Sequence, residues 1–347
     1  MSQRTILKSL LFIGLGILGM GRSSSILIPQ ESVPPQEGSG DSSFSLKVNV
    51  DLVVLNVTVE GEQGSNVAHL RKEDFSVYED DALQTVSEFL PVEAPFNLAL
   101  VLDTSGSARD SLGLIKKAAI EFTRQLRPTD RIAVAAFDSS VRQIQDLTNE
   151  RGKLRQAIQG LTISNFGGSK VYDGIAQAVY RLRAQNGGRN AIVILSDGLE
   201  NSSRIKFDGL HLLLAQSDAV LYPITILSRN RQTYKLEQYI RTHGEDDVYA
   251  ANARASLAAL AEIYQIQTDR ILTLAQETGG KVFVVSSLED LTGEYSRIAQ
   301  ELRNTYSLAY YSSNDKRDGT LRKVHVEVKA PKQMVRTRSN YFVPREE

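Results

Sequence analysis

The chain has 347 residues, of which 40 are basic and 41 acidic, so its formal net charge is −1. This length can hold two or three domains, and the balanced charge gives no reason to propose a nucleic acid or an anionic surface as a partner. The sequence has no cysteine, which excludes disulfides, zinc–thiolate sites and thiol nucleophiles, and its four histidines show no metal-ligand spacing.

The N-terminal residues have the pattern of an export signal. Arg4 and Lys8 precede an apolar, Gly-rich run over 10–20 that ends in small residues. The run is short for a membrane span, but an uncleaved anchor is the alternative because the cleavage site is not of the Ala-x-Ala type. We therefore expect a signal peptide or N-terminal anchor at 1–21 and a disordered, Ser/Pro/Gly-rich linker at 22–43. Export without cysteines fits a bacterial protein of the periplasm, cell envelope or extracellular space.

Alternating apolar residues predict strands between the linker and residue 92. The segment 44–60 alternates and is rich in β-branched residues, and 75–78 and 85–89 are two shorter strands. Between them, Glu79-Asp80-Asp81 is interpreted as a solvated hairpin turn, because it lacks the ligand spacing and the glycine of an EF-hand.

From Phe96 onward, strands alternate with amphipathic helices, which is typical of a parallel sheet. The apolar segments 96–102 and 190–196 predict strands that are buried on both faces. The remaining strands are predicted at 131–137, 141–147, 220–227 and 281–285, and the helices at 115–126, 154–161, 171–182, 210–214, 271–277 and 291–302. The segment 228–269 leaves the carboxyl edge of this sheet and predicts a largely helical insertion.

The tail returns to β alternation over 306–312, 323–329 and 335–342. Three N-terminal and three C-terminal strands are each too few to be stable alone, so we expect 44–92 and 306–347 to pair into one small β-sandwich. The α/β domain at 96–305 would then be inserted between the two halves. An independent tail module is the alternative.

Oxygen side chains follow the first strand of the α/β domain. Asp103, Ser105 and Ser107 occupy alternate positions just beyond its carboxyl end, the edge at which open α/β sheets bind ligands. Short oxygen side chains on a tight loop suit Mg²⁺, so these residues can converge on one hard cation. Two further pieces are expected at the same edge, Gly167-Gly168-Ser169 and Ser196-Asp197-Gly198.

Together these pieces resemble the von Willebrand factor type A domain with a metal-ion-dependent adhesion site, whose motif is Asp-x-Ser-x-Ser, a distant Thr and a distant Asp. The resemblance covers about 96–305. The flanking strands also resemble those of bacterial exported proteins that carry such a domain. The implied fold is α/β and Rossmann-like, a doubly wound, mostly parallel sheet flanked by helices, here with the β-sandwich added.

The resemblance also implies a ligand set. Ser105 and Ser107 would contact the metal directly, whereas Asp103 and Asp197 would act mainly through water or hydrogen bonds. Ser169 stands where the family usually has Thr, which keeps the hydroxyl and loses a methyl group. The expected metal is Mg²⁺, with Mn²⁺ or Ca²⁺ as alternatives. The expected function is non-enzymatic binding of a protein that presents an acidic side chain.

Two other functions stay open. A Mg²⁺-dependent phosphatase of the aspartyl-phosphate type also has an Asp after its first strand, but the second Asp of its Asp-x-Asp motif is missing here. The other is a structural envelope protein whose metal site is vestigial.

Overall fold

A computed structural model describes residues 52–62, 67, 69–164, 166–184, 189–196, 200–226, 231–242, 247–285, 290–329 and 333–346. The predicted signal peptide or anchor, the linker and the start of the predicted strand 44–60 lie outside these residues. Within the described part of the chain, no helix has both the length and the apolar character needed to cross a membrane.

The described elements alternate between strands and helices in the middle of the chain and are strands at both ends. The strands are β1 (Leu52–Glu60), β2 (Phe75–Glu79), β3 (Ala82–Gln84), β4 (Val86–Leu90), β5 (Phe96–Asp103), β6 (Arg131–Phe137), β7 (Val141–Thr148), β8 (Arg189–Ser196), β9 (Val220–Ile226), β10 (Phe283–Val285), β11 (Thr305–Tyr311), β12 (Leu321–Val328), β13 (Met334–Arg336) and β14 (Asn340–Phe342). The helices are α1 (Leu112–Gln125), α2 (Arg151–Gln159), α3 (Val171–Arg183), α4 (Phe207–Ala215), α5 (Arg231–Thr242), α6 (Val248–Glu277) and α7 (Leu291–Arg303).

The central sheet has six strands in the order β10-β9-β8-β5-β6-β7. All neighbours are parallel except β7, which runs antiparallel to β6 at the edge. Every residue of β5 and β8 is buried, because α1, α2 and α7 cover one face of the sheet and α3, α4 and the end of α6 cover the other. Side chains alternate between the two faces of a strand, so a strand covered on both sides is apolar throughout. The predicted α/β class is confirmed.

Two antiparallel four-stranded sheets lie beside the central one, in the orders β13-β1-β11-β4 and β14-β12-β2-β3. Strand β1 pairs with β11, and β2 pairs with β12, so each sheet joins the N-terminal and C-terminal parts of the chain. Apolar residues of both sheets form one core, which makes them a β-sandwich. Strands of the tail thus pair with strands of the segment 52–90. Three strands were expected in each terminal segment, and the structure describes four in each. The N-terminal segment gains β3, and the predicted C-terminal strand 335–342 divides into β13 and β14.

The interpretation of Glu79-Asp80-Asp81 as a solvated turn is wrong for its first residue. Glu79 is the last residue of β2 and is 2% exposed, and only Asp80 and Asp81 form the turn, with φ angles of 45° and 66°. The Glu79 carboxylate is buried because hydroxyl groups and Arg322 from the C-terminal half of the sandwich surround it.

In the described part of the predicted insertion 228–269, α5 and α6 are helices, and α6 continues beyond the predicted end at 269. Helix α6 is one 30-residue helix, so the predicted helix 271–277 is its last part. No Gly or Pro interrupts it, and the Asp247 side chain caps its start by accepting hydrogen bonds from the backbone N–H groups of Tyr249 and Ala250. It ends before Gly279, which has a φ of +81° and no room for a Cβ.

Candidate metal centre

The first part of the motif forms a compact turn where β5 ends. Asp103 Oδ1 accepts a hydrogen bond of 2.8 Å from the backbone N–H of Ser105, and Ser105 Oγ lies 2.8 Å from Ser107 Oγ. Asp103 and Ser105 are buried, whereas Ser107 is exposed. The carboxylate therefore holds the backbone of the turn, and the turn places two hydroxyl oxygens side by side.

Thr104 connects this turn to two other loops. Its backbone N–H and its hydroxyl both donate to the Phe137 carbonyl, at 2.8 and 3.1 Å, and its own carbonyl accepts from the Ser164 N–H at 2.9 Å. Its hydroxyl also lies 3.2 Å from Asp138 Oδ2, to which Arg142 donates at 2.8 Å. These bonds hold the turn after β5 against the end of β6 and against the loop that leads to Ser169.

The Asp138 carboxylate is ionised, and it contacts both the turn after β5 and the turn after β6. Burial raises the pKa of this carboxyl, but hydrogen bonds from the Ser140 backbone and hydroxyl, together with the Arg142 charge, outweigh burial and lower the pKa below its usual value. The carbonyl of Asp138 accepts from the Lys170 N–H at 3.0 Å. Asp138 thus positions the residue that follows Ser169.

Ser169 lies in a loop that its neighbours hold from both sides. Its backbone N–H donates to Asn201 Oδ1 at 2.8 Å, and its carbonyl accepts from the Asn201 N–H at 3.2 Å. The preceding Gly168 has a φ of +115°, and a Cβ there would lie 2.8 Å from Ser202 Oγ. Ser169 is 4% exposed, yet its Oγ makes no hydrogen bond to any residue that the structure describes. A buried hydroxyl without a partner is unfavourable unless a ligand satisfies it, and a cation ligand fits this oxygen.

The Glu200 carboxylate, which was not predicted as a site residue, orders the segment after β8. Glu200 accepts hydrogen bonds from the backbone N–H groups of Ser202 and Ser203 and from that of Tyr172, in the first turn of α3. The side chain of Gln267, on α6, pairs with the backbone of Glu200 through bonds of 2.7 and 2.8 Å. The insertion therefore contacts this segment directly. The one available sequence signal was the position of an acidic residue three places after Asp197.

The structure brings Asp103, Ser105 and Ser107 together and fixes Ser169 on a loop that is hydrogen-bonded to the same turn. Asp197 lies outside the described residues; it follows β8, which pairs with β5 up to Leu195. Within the described ranges, no group of three or more His, Asp or Glu side chains is placed to hold a metal. A cation at this edge would therefore depend on hydroxyl ligands, and the ligand set stays a prediction.

Residues 98–200 match the family model of the von Willebrand factor type A domain. This segment is a von Willebrand factor type A domain. It runs from β5 to the segment after β8, so it contains all five of the predicted metal-site residues. Type A domains are commonly metal-dependent protein-interaction modules and are typically not enzymes.

A curated relative matches part of this chain. An uncharacterized protein from Borreliella burgdorferi is 26% identical over 147 residues, which cover 40% of this chain and 43% of that protein. This chain thus spans less than half the length of that curated relative.

Several solved structures are similar to this chain. A von Willebrand factor type A protein from Catenulispora acidiphila has a TM-score of 0.45 at 11% identity and covers 85% of this chain and 74% of its own. The conserved hypothetical protein BatB from Bacteroides thetaiotaomicron has a TM-score of 0.41 at 12% identity. That match covers 59% of this chain and 98% of BatB. Proximal thread matrix protein 1 from the mussel byssus, solved with zinc in its MIDAS motif, has a TM-score of 0.45 at 15% identity. That match covers 65% of this chain and 49% of the mussel protein. Because these TM-scores are below 0.5, only the family-model match identifies residues 98–200 as a type A domain.

Proposed function

We propose that this protein is an exported, metal-dependent protein-binding module. Asp103, Ser105, Ser107, Ser169 and Asp197 would hold a divalent cation, and an acidic side chain of a protein partner would complete its coordination. The observation that carries this proposal is the buried Ser169 hydroxyl without a described partner, on a loop that is tied to the paired hydroxyls of the turn after β5. Export is supported by the signal-like pattern at 1–21.

The donor set favours Mg²⁺, with Mn²⁺ or Ca²⁺ as alternatives, because hydroxyl and carboxylate oxygens are hard ligands. Neutral hydroxyls leave most of the charge of a bound dication uncompensated, and that charge would attract a partner's carboxylate. Asp103 preorganises the hydroxyls through its hydrogen bond to the Ser105 N–H. A turn that is already ordered in this way would reduce the ordering that cation binding requires.

Binding without turnover suits this arrangement better than phosphatase chemistry. In an Asp-x-Asp phosphatase, the second carboxylate stands at the position that Ser105 occupies here. The Ser105 side chain lies against Ser107 Oγ and supplies a neutral hydroxyl, which cannot serve as the second carboxylate. We also propose the domain organisation inferred from the sequence, with the type A domain at 96–305 inserted between the sandwich segments 44–92 and 306–347.

Calorimetric titration of the full chain with MgCl₂ and MnCl₂ tests the metal site. We expect wild-type protein to bind, and a Ser105→Ala/Ser107→Ala variant to lose binding because both neighbouring hydroxyls are removed. Ser111→Ala is the matched control, since Ser111 precedes α1 in the same region and its side chain makes no capping hydrogen bond. Unchanged titration curves for the double variant would contradict the proposal, provided that thermal unfolding shows it to be folded.

A further inference from the structure

An open groove of about 620 Å³ lies beside the candidate metal centre. One wall is the turn between β6 and β7, and the other is one stripe of α3. Apolar side chains of Val141, Ala176 and Ile205 line it, together with polar and charged groups. The mixture of apolar and polar lining is typical of a site that binds a peptide or a small polar ligand.

The groove is continuous with the loop that carries Ser169. Lys170 lines the groove and directly follows Ser169, and its N–H donates to the Asp138 carbonyl. On the opposite wall, the Cα of Ser139 lies 3.7 Å from the position that a Cβ on Gly168 would take. The groove therefore begins at the loop that carries Ser169.

The length of the groove suits a few extended residues. This side of the groove begins at Lys170, which precedes α3, and runs along the helix through Asp173 and Gln177 to Tyr180. Ten helical residues rise about 15 Å. An extended chain advances about 3.3 Å per residue, so about four or five residues of a partner would cover this distance.

The charge of the groove is positive. Its one acidic side chain, Asp173, is engaged, because it accepts hydrogen bonds of 3.0 Å from the backbone N–H groups of Arg204 and Ile205 and lies 3.5 Å from Lys170 Nζ. The Arg204 side chain is exposed, and no acidic side chain in the described part of the chain forms an ion pair with it. Arg204 can therefore bind an anionic group of a ligand through charge-assisted hydrogen bonds.

One further group suits a peptide. Tyr180, at the far end of the α3 stripe, is 60% exposed and offers a ring on which a side chain can pack.

We infer that this groove binds the partner segment next to the metal-binding carboxylate, and that it selects an extended acidic segment with a second carboxylate for Arg204. This inference rests on the proposed function, because the first carboxylate is the one that completes the metal site.

Selection from random peptides displayed on phage tests the inference. The full chain is the bait, binding takes place in MgCl₂ and elution is with EDTA. We expect wild-type protein to enrich peptides with two acidic residues at a fixed spacing. Arg204→Gln should enrich peptides that keep one acidic residue and lose the second, and should bind the wild-type-selected peptides about tenfold more weakly. Arg204→Glu should instead favour Lys or Arg at the second position.

Arg181→Gln is the matched control. Arg181 follows Tyr180 on the same helix and pairs with Asp146 at 3.3 Å, and it does not line the groove, so its loss should leave the selected peptides unchanged. Peptides that need Mg²⁺, carry one carboxylate and bind Arg204→Gln as tightly as wild type would overturn the inference and leave the proposed function intact. If the phage that bind stay on the bait through the EDTA elution, the result would instead contradict the proposed function, and the inference with it.

Discussion

The buried carboxylate of Glu79 connects the two halves of the β-sandwich, and its removal should be strongly destabilising. It accepts hydrogen bonds from the hydroxyls of Tyr310 and Tyr341, both at 2.9 Å, from Ser312 Oγ at 2.6 Å and from Arg322 Nη1 at 3.0 Å. Glu79 lies on β2 and its partners lie more than 200 residues later in the chain. The network therefore forms only when the N-terminal and C-terminal strands are assembled.

Glu79→Gln keeps the volume of the side chain and removes its charge. The side chain of Arg322 is 3% exposed, so the variant leaves a buried guanidinium without its ion-pair partner. Removing one partner of a buried ion pair costs about 3–5 kcal/mol. We expect a loss of unfolding free energy of this size, with a Tm lower by roughly 10 °C.

Urea unfolding of the full chain, followed by circular dichroism, measures this loss. Asp81→Asn is the matched control, since Asp81 is an exposed carboxylate two residues along the same hairpin, and Asn tolerates its positive φ. The double variant Glu79→Gln/Arg322→Met should recover part of the stability, because it removes the unpaired charge as well. A single variant that loses less than about 1 kcal/mol would refute the buried-pair reasoning.

Three further predictions concern acid stability and the loop of the metal site. Burial raises the pKa of Glu79, but hydrogen bonds from Ser312, Tyr310, Tyr341 and Arg322 lower it below 4.5 overall. Its contribution to stability is therefore present above about pH 4.5 and is lost as the pH falls through the lower folded-state pKa, so the urea midpoint of Glu79→Gln should depend less on acid pH than that of wild type. Gly168→Ala should lose about 1–3 kcal/mol, because its φ is +115° and the new Cβ would lie 2.8 Å from Ser202 Oγ. Gly167→Ala, whose Cβ meets nothing within 4 Å, should be nearly neutral in the same urea assay, and equal losses would exclude this explanation. Ser169→Ala should weaken Mg²⁺ binding in calorimetry. It should change the free energy of unfolding by less than about 1 kcal/mol, since Ser169 Oγ makes no hydrogen bond to a described residue. Ser169→Thr should retain Mg²⁺ binding, whereas a large loss of stability in Ser169→Ala would indicate a structural role for the hydroxyl instead.

Local patterns in the sequence were sufficient to predict the central sheet. The apolar runs that became β5 and β8 predicted strands covered on both faces, and the alternation of strands with helices predicted a mostly parallel sheet. The same patterns placed Asp103, Ser105 and Ser107 at the carboxyl end of a strand, because parallel strands all end at one edge. Buried positions recur every two residues in a strand with one covered face and about every 3.6 residues in a helix. Short segments of sequence therefore indicate the type of element and its buried face.

Tertiary structure decided the roles of the polar residues. The sequence around Glu79 has the composition of a solvated turn, and only the arrival of Arg322 and the tyrosines of the distant tail makes its burial favourable. In the same way, Gln267 contacts Glu200 across 67 residues, and the Ser169 hydroxyl is buried by loops from different strands. A polar side chain is stable in the interior only when partners surround it, and those partners come from distant parts of the chain, which no local pattern records.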